Sequence, residues 1–235
     1  MNVVYALTRD FYHKMIPSVT SLLEHNKDVK IYLLGEDDEV QLPFPVHIIN
    51  VSQLGTFNKS TNAGNYFKYV NLMKVRYPSL IPEDRVMHLD ADTIICDSLE
   101  EMWGTDLEGK WIGAVQEYRG HYHPFGERYY NAGVMVLNLA QLRADGAEEP
   151  MTDYLMRVRQ PYADQDAWNK YGLAEDKIVD LPIRFNENCM TGFTDDPAIV
   201  HYCSITDWWT NRNMYRWELL SHYQNSPLGA GGDEC

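Results

Sequence analysis

Asp90 and Asp92 stand one residue apart in the stretch RVMHLDADTIICD, residues 85–97, where their type and spacing suggest chemistry. Aspartate is a poor strand former and charge is costly in a core, yet the pair lies between apolar runs. Strand alternation places residues two apart on the same face. Two carboxylates so placed have two readings. One is a strand that ends in a turn. The other is a pair of hard oxygen ligands for Mn²⁺ or Mg²⁺, which leave coordination positions open for a substrate's phosphates.

The elements that must position them follow from the hydrophobic pattern. Apolar runs predict strands at 2–7, 30–34, 46–51, 85–89, 111–116, 133–138 and 198–202. Helical spacing predicts helices at 13–26, 66–77, 98–103, 151–159, 166–171 and 214–223, with the second ending before Pro78 and Ser98 capping the third. Strands alternating with helices predict a single α/β domain over 1–224, with a mostly parallel central sheet flanked by helices and a flexible tail at 225–235. Such sheets bind ligands beyond the carboxyl ends of their strands. Asp90 and Asp92 fall at such an end, which favours the ligand reading over the turn.

Composition narrows the partners. A net charge of −14 on 235 residues argues against nucleic acid and against an anionic membrane surface. An anionic substrate then requires a bound cation or local Lys and Arg. Cys96, Cys189, Cys203 and Cys235 show no C-x-x-C spacing, which predicts free thiols. The opening MNVVYALTRDFY has no basic region and only a short apolar run, so neither a signal peptide nor a membrane span is expected there, and a cytoplasmic protein is. Trp208, Trp209, Tyr215, Trp217 and Tyr223 are expected to pack on the protein body and not on lipid.

Further segments follow in order: VVYAL (3–7), LDADTII (89–95), RYYNAGVMVLNL (128–139), YADQDAWN (162–169) and HYCSITDWW (201–209). Together they resemble retaining glycosyltransferase family 8, which contains glycogenin and the bacterial lipopolysaccharide galactosyltransferases. The acidic pair with Thr93 also resembles the D-x-D-x-T phosphohydrolases of the haloacid dehalogenase type. That motif usually follows the first strand of its core, whereas here at least three predicted strands come earlier, so this reading ranks second. A non-catalytic nucleotide-sugar binder is the third.

The family-8 resemblance implies a Rossmann-like GT-A fold, with 1–117 as the nucleotide-binding half and 118–224 as the donor-sugar and acceptor half. It implies transfer of a hexose, glucose or galactose, from a UDP-sugar to a glycan or other hydroxyl acceptor, with retention at the anomeric carbon and Mn²⁺ or Mg²⁺ as cofactor. Ala6, Thr8 and Asp10 would border the nucleoside. Lys68 would reach the donor, and Asp90 with Ala91 would line it. Asp90, Asp92 and His201 would hold the metal. Asn131, Ala132 and Gly133 would lie under the donor sugar, Asp164 would grip it, and Gln165 would stand at the anomeric carbon. Glu117 and Trp209 would face the acceptor.

Other residues have plainer readings. His88 is expected to be a core histidine, and His121 and His123 belong to a loop over the cleft. One departure stands out: aligned on His201, Ser204 replaces the family's glycine, and Asp207 replaces its phosphate-reaching lysine. Either binding is weak, or Asp207 faces solvent and another cation, Arg212 first and Lys68 second, takes its place.

Overall fold

The computed structural model describes residues 1–63, 69–118, 125–203, 205 and 207–226. Its strands are β1 (Asn2–Ala6), β2 (Lys30–Gly35), β3 (His47–Asn50), β4 (Arg85–Leu89), β5 (Thr93–Ile95), β6 (Ile112–Gln116), β7 (Tyr130–Asn138), β8 (Ile178–Asp180) and β9 (Ile199–His201). Its helices are α1 (Ile16–His25), α2 (Tyr69–Leu72), α3 (Tyr77–Leu80), α4 (Glu100–Trp103), α5 (Leu139–Ala144), α6 (Glu148–Arg157), α7 (Asp164–Ala174) and α8 (Trp217–Gln224).

Seven strands form the main sheet in the order β3-β2-β1-β4-β7-β6-β8. All neighbours are parallel except β7, which runs antiparallel between β4 and β6. This matches the predicted mostly parallel sheet. Strands from both sides of residue 117 share it. The second sheet is a short antiparallel pair, β5 and β9.

Both faces of the main sheet are covered, which explains why its inner strands read as unbroken apolar runs. In β1, Val4 and Ala6 face one core while Val3 and Tyr5 face the other. A third cluster, including Ile94, Val200, Tyr202, Trp208, Leu220 and Tyr223, lies between the small sheet and the last helix. Trp208 and Tyr223 thus pack on the body as expected. Tyr215, 44% exposed, does not bury its ring; it stacks on Phe193 at 4.5 Å between centroids. Among the described residues no helix is long and apolar enough to cross a membrane, and Cys96, Cys189 and Cys203 are free thiols.

Three local predictions need correction. The helix expected to stop before Pro78 continues: a 3₁₀ turn at Met73–Arg76 leads into α3, which carries Pro78 in its first turn. The missing proline N–H costs nothing there, because first-turn N–H groups have no helical partner anyway. Ser98 is not the cap residue of α4; Leu99 holds that position, and Ser98 Oγ accepts from Glu100 N at 3.3 Å. β5, β8 and α5 were not expected, being three to six residues long, too short for periodicity to register.

A buried hydroxyl relay fixes the turn after β4. Tyr5 Oη and Ser18 Oγ are 2.9 Å apart, Ser18 Oγ and Thr93 Oγ1 2.8 Å apart, and Thr93 Oγ1 donates to the Asp90 carbonyl at 2.8 Å. Since the last link is a donation by Thr93, the only consistent order runs from Tyr5 through Ser18 to Thr93. It ties β1, α1 and β5 to the backbone of Asp90. Replacing Ser18 by Ala leaves the buried Tyr5 hydroxyl without an acceptor and Thr93 Oγ1 without its donor, and should lower stability by about 1–3 kcal/mol in urea denaturation. A loss below about 0.5 kcal/mol, the scatter of ordinary surface substitutions, would mean that the relay does not hold this turn.

Candidate functional site

Parallel pairing of β1 with β4 brings their carboxyl ends to one edge of the sheet. Because β7 runs the other way, its first residues meet that same edge: Leu89 pairs with Val134, and Asp90 N donates to Gly133 O at 2.8 Å. The pairing of β6 with β7 shifts register between Ala114 and Gln116, an irregularity of the kind that re-aims a strand end beside a site. Glu117 follows directly, its backbone N bonded to Tyr129 O. In the small sheet Thr93 lies opposite His201, and Tyr202 N donates to Asp92 O at 2.8 Å. Asp92 and His201, 109 positions apart in sequence, thereby become neighbours.

The result is one polar centre. Ligand atoms of Asp90, Asp92 and His201 all lie within 4.8 Å of one another. His201 Nε2 is 3.2 Å from Asp92 Oδ1 and 3.9 Å from Asp90 Oδ2. Two carboxylate oxygens and one imidazole nitrogen suit Mn²⁺ and are compatible with Mg²⁺. The floor of this centre is Gly133. A Cβ there would stand 2.7 Å from Asp90 Oδ2 and closer still to His201 Cε1. The family-8 resemblance implies Gly133 under the donor sugar; the structure shows that a side chain there would collide with Asp90 and His201.

Electrostatics explain how the acidic edge is held. Lys74 is buried, its Nζ 2.8 Å from Asp90 Oδ1 and 3.6 Å from Asp164 Oδ2. Burial alone would lower the lysine pKa, but Asp164 and Asp90 raise it above its ordinary value, so the ammonium stays charged. Burial alone would raise Asp90; Lys74, His88 and His201 overcome it and hold Asp90 well below the usual carboxylate range. Asp164 is the more distant partner of the shared cation, and burial with the nearby Asp90 charge pushes it up to about 6 despite Lys74. Burial would depress His201, yet Asp92 and Asp90 raise it above the ordinary histidine value.

Lys74 was missed by sequence reasoning, which placed the cation at Lys68 or Arg212. Lys68 lies outside the described residues. Arg212 is exposed and makes no hydrogen bond or ion pair among the described residues. The signal for Lys74 was present: a lone lysine among buried Leu72, Met73 and Val75 must have an anionic partner. Asp207 faces solvent, where its carbonyl accepts from the amides of Thr210 and Asn211 and its carboxylate accepts from the Asn211 side chain. The solvent-facing alternative for Asp207 is the one observed.

An amide network lines the remaining wall. Asn186 Oδ1 lies 2.9 Å from His201 Nδ1 and accepts from Asn188 Nδ2 at 2.9 Å; Asn186 Nδ2 donates to Asn131 Oδ1 at 2.9 Å. Asn131 Nδ2 donates to Glu117 Oε1 at 2.8 Å, and Gln165 Nε2 donates to the same oxygen at 3.2 Å. Gln165 Oε1 accepts from Ala132 N at 2.9 Å. Gln165 and Asp164 open α7 directly after Ala163, whose φ of 50° is a strained value for a residue with a Cβ. Asp166 caps the turn by accepting from Tyr129 Oη and Tyr162 N.

Of the remaining predicted residues, Ala6 ends β1, Ala91 is buried between the two aspartates, and Thr8 is buried just before a 3₁₀ turn that carries the exposed Asp10. Glu117, 5% exposed, is held inside the network. Trp209 packs on Trp208 and, edge to face at 5.6 Å, on His13. His88 is buried as expected but bonds directly to Asp90. His121 and His123 fall outside the described residues. Thr93 follows Asp92 directly, one position short of the D-x-D-x-T spacing, and its hydroxyl is spent on the Asp90 backbone. The phosphohydrolase reading loses its motif.

The sheet order, the acidic pair beyond β4 and the returning strand β7 define a GT-A fold. The chain belongs to glycosyl transferase family 8, whose family model matches residues 2–212. The galactosyltransferase LgtC, solved in complex with donor and acceptor sugar analogs, superposes with a TM-score of 0.78 at 21% identity, covering 95% of each chain. The glycosyltransferase GlyE of Streptococcus pneumoniae superposes with a TM-score of 0.72 at 20% identity, over 97% of this chain and 61% of that one. In sequence, the glycosyltransferase GlyA of Streptococcus pneumoniae serotype 4 is 24% identical over 231 residues, 88% of this chain but 32% of GlyA. GlyF of the same organism is 23% identical over 239 residues, 92% of this chain and 58% of GlyF. The chain thus spans between about a third and under two-thirds of the length of these curated relatives.

Gly133→Ala should cost about 1–3 kcal/mol by overpacking, measured by chemical denaturation; a neutral substitution would show that the His201 ring is free to move. Asp164 carries a pH signature. Its folded pKa of about 6 lies above that of an unfolded aspartate, so between about pH 4 and 6 the folded chain holds a proton that the unfolded chain has released. Stability contributed by that proton falls as pH rises through the window. Asp164→Asn should therefore gain on wild type between pH 4 and pH 7, on the order of 1–3 kcal/mol in urea denaturation. An unchanged difference at the two pH values would show an ordinary Asp164.

Proposed function

We propose that the chain is a metal-dependent retaining hexosyltransferase that uses a UDP-sugar donor and a glycan or other hydroxyl acceptor. The observation that carries this reading is the convergence of Asp90, Asp92 and His201 at the carboxyl end of β4, over a glycine where any side chain would collide with Asp90 and His201. Family membership supports the class of reaction.

Asp90, Asp92 and His201 would hold Mn²⁺ or Mg²⁺, which when bound supplies the positive charge that stabilises a departing nucleoside diphosphate. This answers how a chain of net charge −14 takes an anionic donor. Ala6, Thr8 and Asp10 would border the nucleoside, from the strand end beside β4. Asn131, Ala132 and Gly133 would form the bed under the donor hexose. Lys74 holds Asp164 beside that bed, where its carboxylate would grip sugar hydroxyls. Gln165 is fixed at both ends of its amide by Ala132 N and Glu117. An amide is a poor nucleophile compared with a carboxylate. We therefore favour same-face attack by the acceptor hydroxyl, its proton passing to the leaving phosphate, with Gln165 steadying the positive sugar. Glu117 orients Gln165 and Asn131, and with Trp209 would bound the acceptor side.

A screen of nucleotide sugars for donor hydrolysis, with and without Mn²⁺, tests this reading. Turnover should vanish in excess chelator and return with Mn²⁺ or Mg²⁺, and Asp92→Asn should lower it on the order of 10²-fold or more with the fold intact by circular dichroism. Full activity in chelator would sink the metal reading. Tight UDP binding with neither transfer nor donor hydrolysis would point to a non-catalytic binder. The first-formed product should keep the donor's α configuration in its anomeric proton coupling; a β product would refute retention.

A further inference from the structure

Asp90 offers two oxygens, and they are not equivalent. Oδ1 accepts from Lys74 Nζ at 2.8 Å and from His88 Nε2 at 2.9 Å. Two donors use both lone-pair directions of that oxygen. Oδ2 is the atom that faces His201 Nε2 and the space above Gly133. Only Oδ2 is left for an ion.

Lysine does not explain this choice by itself. Its ammonium is a compact charge on a flexible stem, spans both Asp90 and Asp164, and has no preference for one carboxylate oxygen over the other. His88 is different. It lies on β4 two residues before Asp90, which follows the last residue of that strand; it is fully buried, and its flat ring directs one N–H along one line. Tyr77 holds the other side of the ring, with Oη 2.9 Å from Nδ1.

We propose that His88, set by Tyr77, is a positioning residue that turns Asp90 so that Oδ2 is presented to the metal. The proposal rests on the metal reading given above. A carboxylate only accepts, so Nε2 must carry the proton it donates. The ring is fully buried and shares Asp90 Oδ1 with the Lys74 ammonium, where a second cation would be costly, so it is neutral and Nδ1 is a lone pair. Tyr77, kept protonated by burial, donates to that lone pair and selects the tautomer whose Nε2–H meets Asp90. The chain from Tyr77 Oη through the imidazole to Asp90 Oδ1 thus has a direction. A hydrocarbon ring would fill the space but would free Asp90 to rotate and leave the Tyr77 hydroxyl without its acceptor.

Mn²⁺ binding to the full chain, followed by electron paramagnetic resonance with and without UDP, tests the idea without relying on turnover. His88→Phe should weaken Mn²⁺ binding about 10-fold to 100-fold, the usual effect of losing an outer partner of a metal ligand. Tyr77→Phe, which keeps the ring volume, should weaken it by about threefold or more on the same basis. His88→Gln, whose amide N–H can reach the same oxygen, should bind closer to wild type than His88→Phe does. A merely structural role would lower the melting temperature of these variants and leave the Mn²⁺ affinity of the folded fraction unmoved. If His88→Phe does not fold, Tyr77→Phe decides. Wild-type affinity in the folded variants, with wild type itself binding Mn²⁺, overturns the positioning role and spares the metal reading. A wild-type chain that takes up no Mn²⁺ overturns both.

Discussion

A carboxylate at the mouth of the central strand must keep its charge while standing mostly inside protein, and much of the site's arrangement answers that demand. Asp90 is only about one-third exposed, so an uncompensated ion there would be costly. Lys74 compensates it from below and is itself buried, which requires a second anion, Asp164. The position of α7, which begins at Asp164, follows from the same need. One charge at a strand end thus sets a cation, a second acid and a helix start.

Topology supplies what electrostatics cannot. A purely parallel sheet would bring only carboxyl ends to the ligand edge. Reversing β7 delivers Asn131, Ala132 and Gly133, at the start of a strand, to the same edge as the end of β4. The small sheet delivers His201 opposite Thr93. The amide side chains of Asn186, Asn131 and Gln165 then link the imidazole, the glycine floor and the helix start into one bonded wall.

The sequence disclosed this unevenly, for physical reasons. Parallel-sheet strands such as Val3–Val4 and Leu33–Leu34 are apolar on both faces, and they were legible. So was Asp90-Ala91-Asp92, since paired carboxylates beside a buried run demand an explanation. The direction of β7 was not legible, because strand polarity leaves no mark in hydrophobic pattern; neither was its polar start at Tyr130-Asn131. β9 was legible as the apolar run 198–202, but β5, three residues long and stabilised by pairing with β9, was not, because no local window contains that pairing. Lys74 was marked only by its apolar neighbours Leu72, Met73 and Val75, and their burial is what shows that it needs an anionic partner. Asn186 and Tyr77 reach the site through His201 and His88, 15 and 11 positions along the chain, so nothing in their own segments marks that use.

The late central strand also has a consequence for biosynthesis. During synthesis from the amino terminus, β1 to β4 can pair as soon as they emerge, but the second edge of β4 then has no partner. β6 emerges next and must wait, since both its neighbours, β7 and β8, come later in the chain. For that interval the nascent chain carries an open apolar edge, the kind that invites pairing with another chain. Arrival of β7 closes β4 and recruits β6 at once, and it also places Gly133 beneath Asp90. Closing the free edge of β4 during translation is therefore also the first step in building the polar centre, which Asp164 and His201 complete later in the chain, and a ribosome that stalls between residues 116 and 130 presents an open edge and no glycine floor.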